Sequence, residues 1–306
     1  MTGRDAGLPS RPAPHAATPT WPGTIALLLV SGVGVLAFTW PFFATSIAQS
    51  RGADLPWLFA VLLALLAVVL LAEQSSGRLD AKSIAMIGVL SALGGGLRVL
   101  SAGVAGLEPM FAVVVLAGRA MGRRLAFLTG ASCLLTGAFL TGAIGPWVPF
   151  QMIATGWVAL GAALLPRVRG RLEVAMLAAY GMSAGLLYGA LLNLWFWPFL
   201  GSSAPEGGGY VPGAGLTTNL GHYLVFYLAT SLGWDLPRGL LTAGLILAAG
   251  RPLLATLRRA VRRANFEAVA TFGAPATSPA PVSAGGPTAF PEPVSTAVPA
   301  GPPEDP

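Results

Sequence analysis

Apolar stretches free of Asp, Glu, Lys and Arg follow one another along most of this 306-residue chain, and their lengths set the elements they predict. A helix needs about 20 apolar residues to cross the hydrocarbon layer of a bilayer. No charged residue occurs between Pro12 and Ser50, and Thr24 to Ile47 reads as a first span. Its apolar core is too long for a cleavable signal peptide, and a polar, Pro-rich leader precedes it. Leu55 to Ala72 reads as a second span. Ala81 to Ala102 is a third, interrupted by Arg98, and Leu107 to Ala120 is a short fourth that opens with Glu108-Pro109. Leu125 to Leu165 is charge-free but too long for one crossing. Its run Gly142-Ala143-Ile144-Gly145-Pro146-Trp147-Val148-Pro149 breaks it, because glycine and proline punctuate helices. Two spans follow, Leu125 to Thr141 and Phe150 to Leu165. Val174 to Phe199 is the next. The last, Leu220 to Ala249, is interrupted by Asp235-Leu236-Pro237.

Composition agrees with that pattern. Hydrophobic residues make up 54% of the chain and charged ones only 10%, against about 25% charged in soluble domains. So few charges cannot cover a water-facing surface. The expected class is an all-α polytopic membrane protein, and a soluble globular enzyme is excluded. The lone cysteine, Cys133, rules out a disulfide framework. With two histidines and one cysteine, no metal centre is expected. No Walker motif is present, and no cofactor is implied. The net charge of +6 is read as loop arginines, not as a nucleic-acid surface.

Those arginines cluster at Arg119/Arg123/Arg124, Arg167/Arg169/Arg171 and Arg251/Arg258/Arg259/Arg262/Arg263. If each cluster faces the cytoplasm, eight helices cross and both termini are cytoplasmic. Leu220 to Ala249, about 45 Å long as a helix, then crosses only once, with Asn219 to Trp234 kinked, tilted or interfacial. The expected organisation is a disordered cytoplasmic leader (1–22), two additional transmembrane helices (23–73), a six-helix core (81–250), a basic cytoplasmic segment (251–273) and a disordered Pro/Ala-rich tail (274–306).

This topology gathers polar and aromatic residues on the outer side: Arg98, Glu108, Trp147, Gln151, Asn193, Trp195, Trp197, Asn219, His222 and Tyr223. An ionisable residue in a span costs about 2.5–3.5 kcal/mol on insertion scales, so it usually faces the bundle interior. Bland readings stand beside the functional one. The tryptophans could form an aromatic belt, Arg98 and Glu108 a structural ion pair, and Gln151 a helix cap; His222 fits an interfacial residue better than a metal ligand. Separately, Ala81 and Ala85, then Gly88, Ala92 and Gly96, recur four apart on the third span. Such a stripe lets another helix approach closely, from this chain or from another subunit.

The block from Lys82 to Arg167 resembles the substrate-binding (S) components of energy-coupling factor vitamin transporters. The resemblance is carried by the helix from Ala81 to Arg98 and by Glu108-Pro109 leading to a span that ends Gly118-Arg119-Ala120-Met121-Gly122. It also rests on the Gly/Ala-rich helix from Leu125 and, most specifically, on Gly145-Pro146-Trp147-Val148-Pro149-Phe150-Gln151-Met152. That run is similar to S components grouped with cobalamin uptake and to related actinobacterial ones. The resemblance covers roughly residues 81 to 250. It implies a six-helix core that captures a vitamin-like molecule, best matched to cobalamin or a relative, and works with a transmembrane coupling protein and ATPase subunits. It further implies ligand contacts from Trp147, Gln151, Asn193 and His222; Trp195 and Asn219, from the outer-side cluster read above, complete the expected substrate site. Arg98 and Glu108 would flank a gating loop, and Ala81, Ala85, Gly88 and Ala92 would meet the coupling protein. The first two spans, the loop Gly201 to Thr218 and the tail depart from that plan.

The expected role is therefore a binding subunit without enzymatic activity of its own. The alternatives are a membrane enzyme acting on lipid or polyprenyl substrates and a secondary transporter. The first usually needs paired acids, and no acidic partner for Glu108 is visible in the sequence. The second usually carries paired broken helices, and one such break is found without a mate.

Overall fold

The structure, a computed structural model, describes residues 21–42, 81–101, 104 and 106–266, all within one unit, Met1–Ala268. The second predicted span and both predicted disordered ends lie outside the described residues, except that Trp21 and Pro22 of the expected leader already belong to the first helix. The first helix, α1 (Trp21–Thr39), runs into a 3-10 turn at Trp40–Phe42. Then come α2 (Ala81–Leu100), α3 (Met110–Met121), α4 (Arg123–Thr141), α5 (Val148–Leu164) and α6 (Arg171–Phe196). Two 3-10 turns, Trp197–Phe199 and Gly201–Ser203, lead to α7 (Gly215–Thr230) and α8 (Leu232–Phe266). No strand occurs among the described residues.

Five stretches are long and apolar enough to cross a membrane: Gly23–Phe42, Ala81–Leu100, Arg123–Thr141, Arg171–Phe199 and Leu232–Arg263. Their outward faces, and that of the shorter α7, are apolar too. Leu28, Leu29 and Leu36 on α1 and Leu216, Leu220, Leu224 and Leu228 on α7 are all more than half exposed. So much exposed leucine is a liability in water and ordinary where lipid is the solvent. The chain is an all-α polytopic membrane protein.

The glycine/proline break after Thr141 folds as its chemistry requires. Gly142 adopts φ 67°, the left-handed conformation that ends α4, and its N–H donates to the Phe139 carbonyl. Pro149 then sits in the first turn of α5, where its missing N–H removes no intrahelical bond. The predicted interruption in the last region falls elsewhere. The chain breaks at Ser231, between α7 and α8, and Asp235-Leu236-Pro237 lies inside α8. α8 also continues to Phe266, so the first part of the expected basic segment is helical and not a separate element.

At the centre stands α3, with Met110, Phe111, Val114, Val115, Leu116 and Ala117 essentially inaccessible. It is only 12 residues long, about 18 Å. α6, with 26 residues, rises about 39 Å. One polar knot brings an end of each to a common level. Arg119, near the end of α3, donates through Nε to Glu173 on the first turn of α6 (2.7 Å), and through its two Nη atoms to the Leu165 and Pro166 carbonyls (2.8 and 2.9 Å). Arg258 on α8 closes on the same carboxylate at 2.6 and 3.0 Å. With its far end fixed there, α3 is too short to reach the opposite face of the bundle, and space is left beyond its N-terminus.

α1 is more than an appendage to a six-helix core. Ala26, Leu27, Val30, Ala37 and Phe38 belong to the main apolar cluster. Phe38 meets Phe150 edge-on at 5.4 Å, and the Trp157 indole donates to Ser31 Oγ at 3.1 Å.

Candidate functional site

The space beyond α3 is a cavity of about 470 Å³. It is walled by Glu108 at the approach to α3, Gln151 on α5, Tyr188 and Asn193 on α6, Phe226 on α7 and Asp235 on α8, with Phe196, Trp234 and Arg238 also lining it. Its polar side is a chain of charges. Arg238 donates through Nε to Glu108 Oε2 at 2.8 Å and through Nη1 to Asp235 Oδ1. Its guanidinium also lies over the Tyr188 and Phe111 rings, 5.2 and 5.7 Å from their centroids. The other Glu108 oxygen faces Arg98 Nη1 at 3.7 Å, an ion pair too long for a hydrogen bond. Two acids thus balance two arginines.

Among the described residues, three cavity-lining oxygens have no partner at hydrogen-bond distance: Tyr188 OH, which has Thr155 as its neighbour, Asp235 Oδ2, on the carboxylate that neighbours Tyr227, and Gln151 Oε1. Tyr188 is 4% exposed and Asp235 2%. An unmet polar group at such burial costs about 1–3 kcal/mol, which a ligand bonding to it removes. The backbone makes room for this arrangement at Gly189. A Cβ there would come within 1.8 Å of Asp235 Oδ2, so glycine is what lets α8 set its carboxylate against α6.

The eight sequence-predicted site residues separate under this geometry. Glu108, Gln151 and Asn193 line the cavity, Asn193 donating to Ser231 Oγ at the break before α8. Arg98 reaches it only through Glu108. Trp147 does not line it; the indole is 38% exposed and donates to the Ala143 carbonyl at 3.3 Å, a position that suits an aromatic belt. Trp195 is buried in the core, stacked on Phe150 at 5.0 Å. Asn219 and His222 hold the loop before α7 instead. Asn219 accepts from the Val211 N–H and donates to the Val211 carbonyl, both at 2.9 Å, and His222 Nδ1 bonds the Gly209 carbonyl at 2.7 Å.

With them, Trp197 donates to the Gly208 carbonyl and Tyr210 to the Pro41 carbonyl, each at 2.7 Å. Partial burial pushes the Tyr210 hydroxyl up from its ordinary value, so it remains a donor at any physiological pH. The loop is therefore a fixed rim that contributes Ser203 to the cavity. Sequence reasoning missed Asp235, Arg238 and Tyr188. Two of them were visible as an Asp-x-x-Arg pair inside an apolar stretch, a costly feature there. An acidic partner for Glu108, absent from the sequence reading, is supplied by Asp235 across the shared Arg238.

The small-residue stripe lies on the outside. Ala81, Ala85, Gly88 and Ala92 are exposed, while Ser83, Leu90, Gly94 and Gly95 form the buried face of α2. No described residue comes within 4 Å of a Cβ built on Gly88. Cys133 is buried, with Sγ 3.3 Å from the Leu90 carbonyl. Among the described residues, no three His, Cys, Asp or Glu side chains gather as a metal ion needs. No protein-family model matches the chain, and neither a curated protein nor a solved structure matches it.

Proposed function

We propose that this chain is the membrane-embedded substrate-binding subunit of an ATP-driven importer of the energy-coupling factor type, taking a compact vitamin-like molecule from the outer side. One observation carries the reading: a cavity at the end of the bundle remote from the arginine clusters, with three unmatched polar oxygens among aromatic walls. Small-ligand sites are mostly apolar, with a few convergent polar groups. The exposed stripe Ala81, Ala85, Gly88 and Ala92 offers a surface on which a coupling protein's helix can pack.

The chemistry narrows the ligand. A volume of about 470 Å³ lies in the lower half of the range for small-molecule pockets, about 300–1,000 Å³. It suits a one- or two-ring molecule better than a corrinoid. Balanced charges disfavour a polyanion. Asp235 Oδ2 and Gln151 Oε1 accept hydrogen bonds, so the preferred ligand carries ring or exocyclic N–H donors and stacks on Phe196, Phe226 or Trp234.

Calorimetry on the purified chain with thiamine, riboflavin, biotin, cobalamin and cobalamin precursors tests this. A compact member of the panel is expected to bind at micromolar affinity or better. Asp235→Asn weakens it about 10–100-fold, the worth of one charge-assisted hydrogen bond. Absence of binding across the panel removes the reading.

The buried Glu108–Arg238–Asp235 chain also suits a proton-coupled secondary transporter, since intramembrane charges often mark proton pathways. Uptake that survives loss of cellular ATP and stops with a protonophore favours that alternative.

A further inference from the structure

Six arginines converge at the opposite end of the bundle. Arg119, Arg123, Arg167, Arg169, Arg258 and Arg262 line a basin of about 1,050 Å³, and among the described residues Glu173 is the only acidic one with them. That carboxylate is already consumed by Arg119 and Arg258. Arg119 also pins the basin floor through the Leu165 and Pro166 carbonyls. Arg123, Arg167, Arg169 and Arg262 are exposed and have no carboxylate partner among the described residues. The surplus cation is thus built into a concave site whose floor is rigid.

The position of the basin selects its ligand. It lies where three apolar helices begin or end: Arg123 opens α4, Leu164 closes α5 and Arg171 opens α6. That is the level at which a bilayer changes from hydrocarbon to headgroup. Leu164, which lines the basin, and Leu172, next to Arg171 in α6, are 57% and 65% exposed, an apolar surface available to acyl chains. A free phosphate would use the guanidinium forks, which match phosphate oxygens two at a time, but would leave the leucines uncovered. A phospholipid uses both.

We propose that this basin binds the phosphate-bearing headgroup of an anionic phospholipid, with its acyl chains on Leu164 and Leu172. The site is independent of the cavity at the other end.

The test uses the full chain purified in a neutral detergent, and reads thermal unfolding and native mass spectrometry. Dioleoyl phosphatidylglycerol is titrated against dioleoyl phosphatidylcholine, with inorganic phosphate at matched concentration as a third arm. Phosphatidylglycerol is expected to raise the melting temperature saturably and to remain bound in the gas phase, while phosphatidylcholine does neither. The combined variant Arg167→Gln, Arg169→Gln, Arg262→Gln should weaken that effect about fivefold per arginine, on the order of a hundredfold in all. Arg171→Gln, next to the basin but not lining it, should leave it unchanged. Equal stabilisation by both lipids, or undiminished stabilisation of the triple variant, overturns the proposal. Phosphate acting as well as phosphatidylglycerol overturns the lipid assignment in favour of a free-anion site. Because the three substituted arginines are exposed, a triple variant that melts like the parent without lipid separates lost binding from lost folding.

Discussion

Tyr188 places a hydroxyl in the buried wall of the cavity. Its ring is well used, meeting Phe111 edge-on at 4.8 Å and lying beneath the Arg238 guanidinium, but its oxygen, beside Thr155, has no partner at hydrogen-bond distance among the described residues. Tyr188→Phe keeps the ring and removes the unmet group. The expected result is a ligand-free melting temperature equal to the parent's or slightly higher, together with about tenfold weaker ligand binding, the loss of one hydrogen bond. A purely structural tyrosine gives the reverse pattern, lower stability and unchanged affinity. Gly189→Ala works in the opposite sense. Its Cβ meets the Asp235 carboxylate head-on, and overpacking of this kind costs about 1–3 kcal/mol. Both a lower melting temperature and lost binding are expected, whereas Gly221→Ala, which faces open space, should be silent. The sequence exposed Glu108, Gln151 and Asn193 because each is an uncommon polar residue at the edge of an apolar run. It concealed Tyr188, because a tyrosine inside a helix looks like any other core aromatic until its hydroxyl is found without a partner.

At the scale of elements, the helices were legible wherever charge or a glycine/proline cluster bounded them. Gly142 to Pro149 separated α4 from α5 on chemistry alone. The end of the chain was harder. Pro237 reads as an interruption, yet it lies in the second turn of α8, and membrane helices absorb prolines because neighbouring groups re-satisfy the freed carbonyl. The actual break at Ser231 carries neither glycine nor proline, so composition did not announce it. The function of Asn219 was hidden for a related reason. Asparagine beside an apolar helix looks like a ligand contact, but its amide is spent as a two-point clamp on Val211. Asn219→Ala frees both backbone groups of Val211 and should cost about 1–3 kcal/mol. Amide hydrogen exchange over residues 208–214 should rise selectively, while α3 and α5 remain protected. Direct loss of ligand affinity without faster exchange in that loop would instead make Asn219 a contact residue.

The whole molecule has two chemically opposite ends, and its orientation decides what each can do. An acid–arginine chain and aromatic walls surround the cavity at one end; arginines in excess over a single acid surround the basin at the other. Basic loops favour the cytoplasmic side, so the importer proposed above requires the cavity to face outward. The native chain is already suited to a labelling test. Its single cysteine, Cys133, has no accessible surface and should stay silent toward a membrane-impermeant maleimide. Introduced thiols at Ser203→Cys, on the cavity rim, and Arg169→Cys, in the basin, then report the two faces separately. In intact cells the reagent is expected to modify the first and spare the second, with the second reacting only after permeabilisation. The opposite result would place the cavity on the cytoplasmic side. It would end the importer reading and leave the cavity, its charge chain and the arginine basin as they are, because those rest on packing and hydrogen bonds that do not depend on which way the bundle faces.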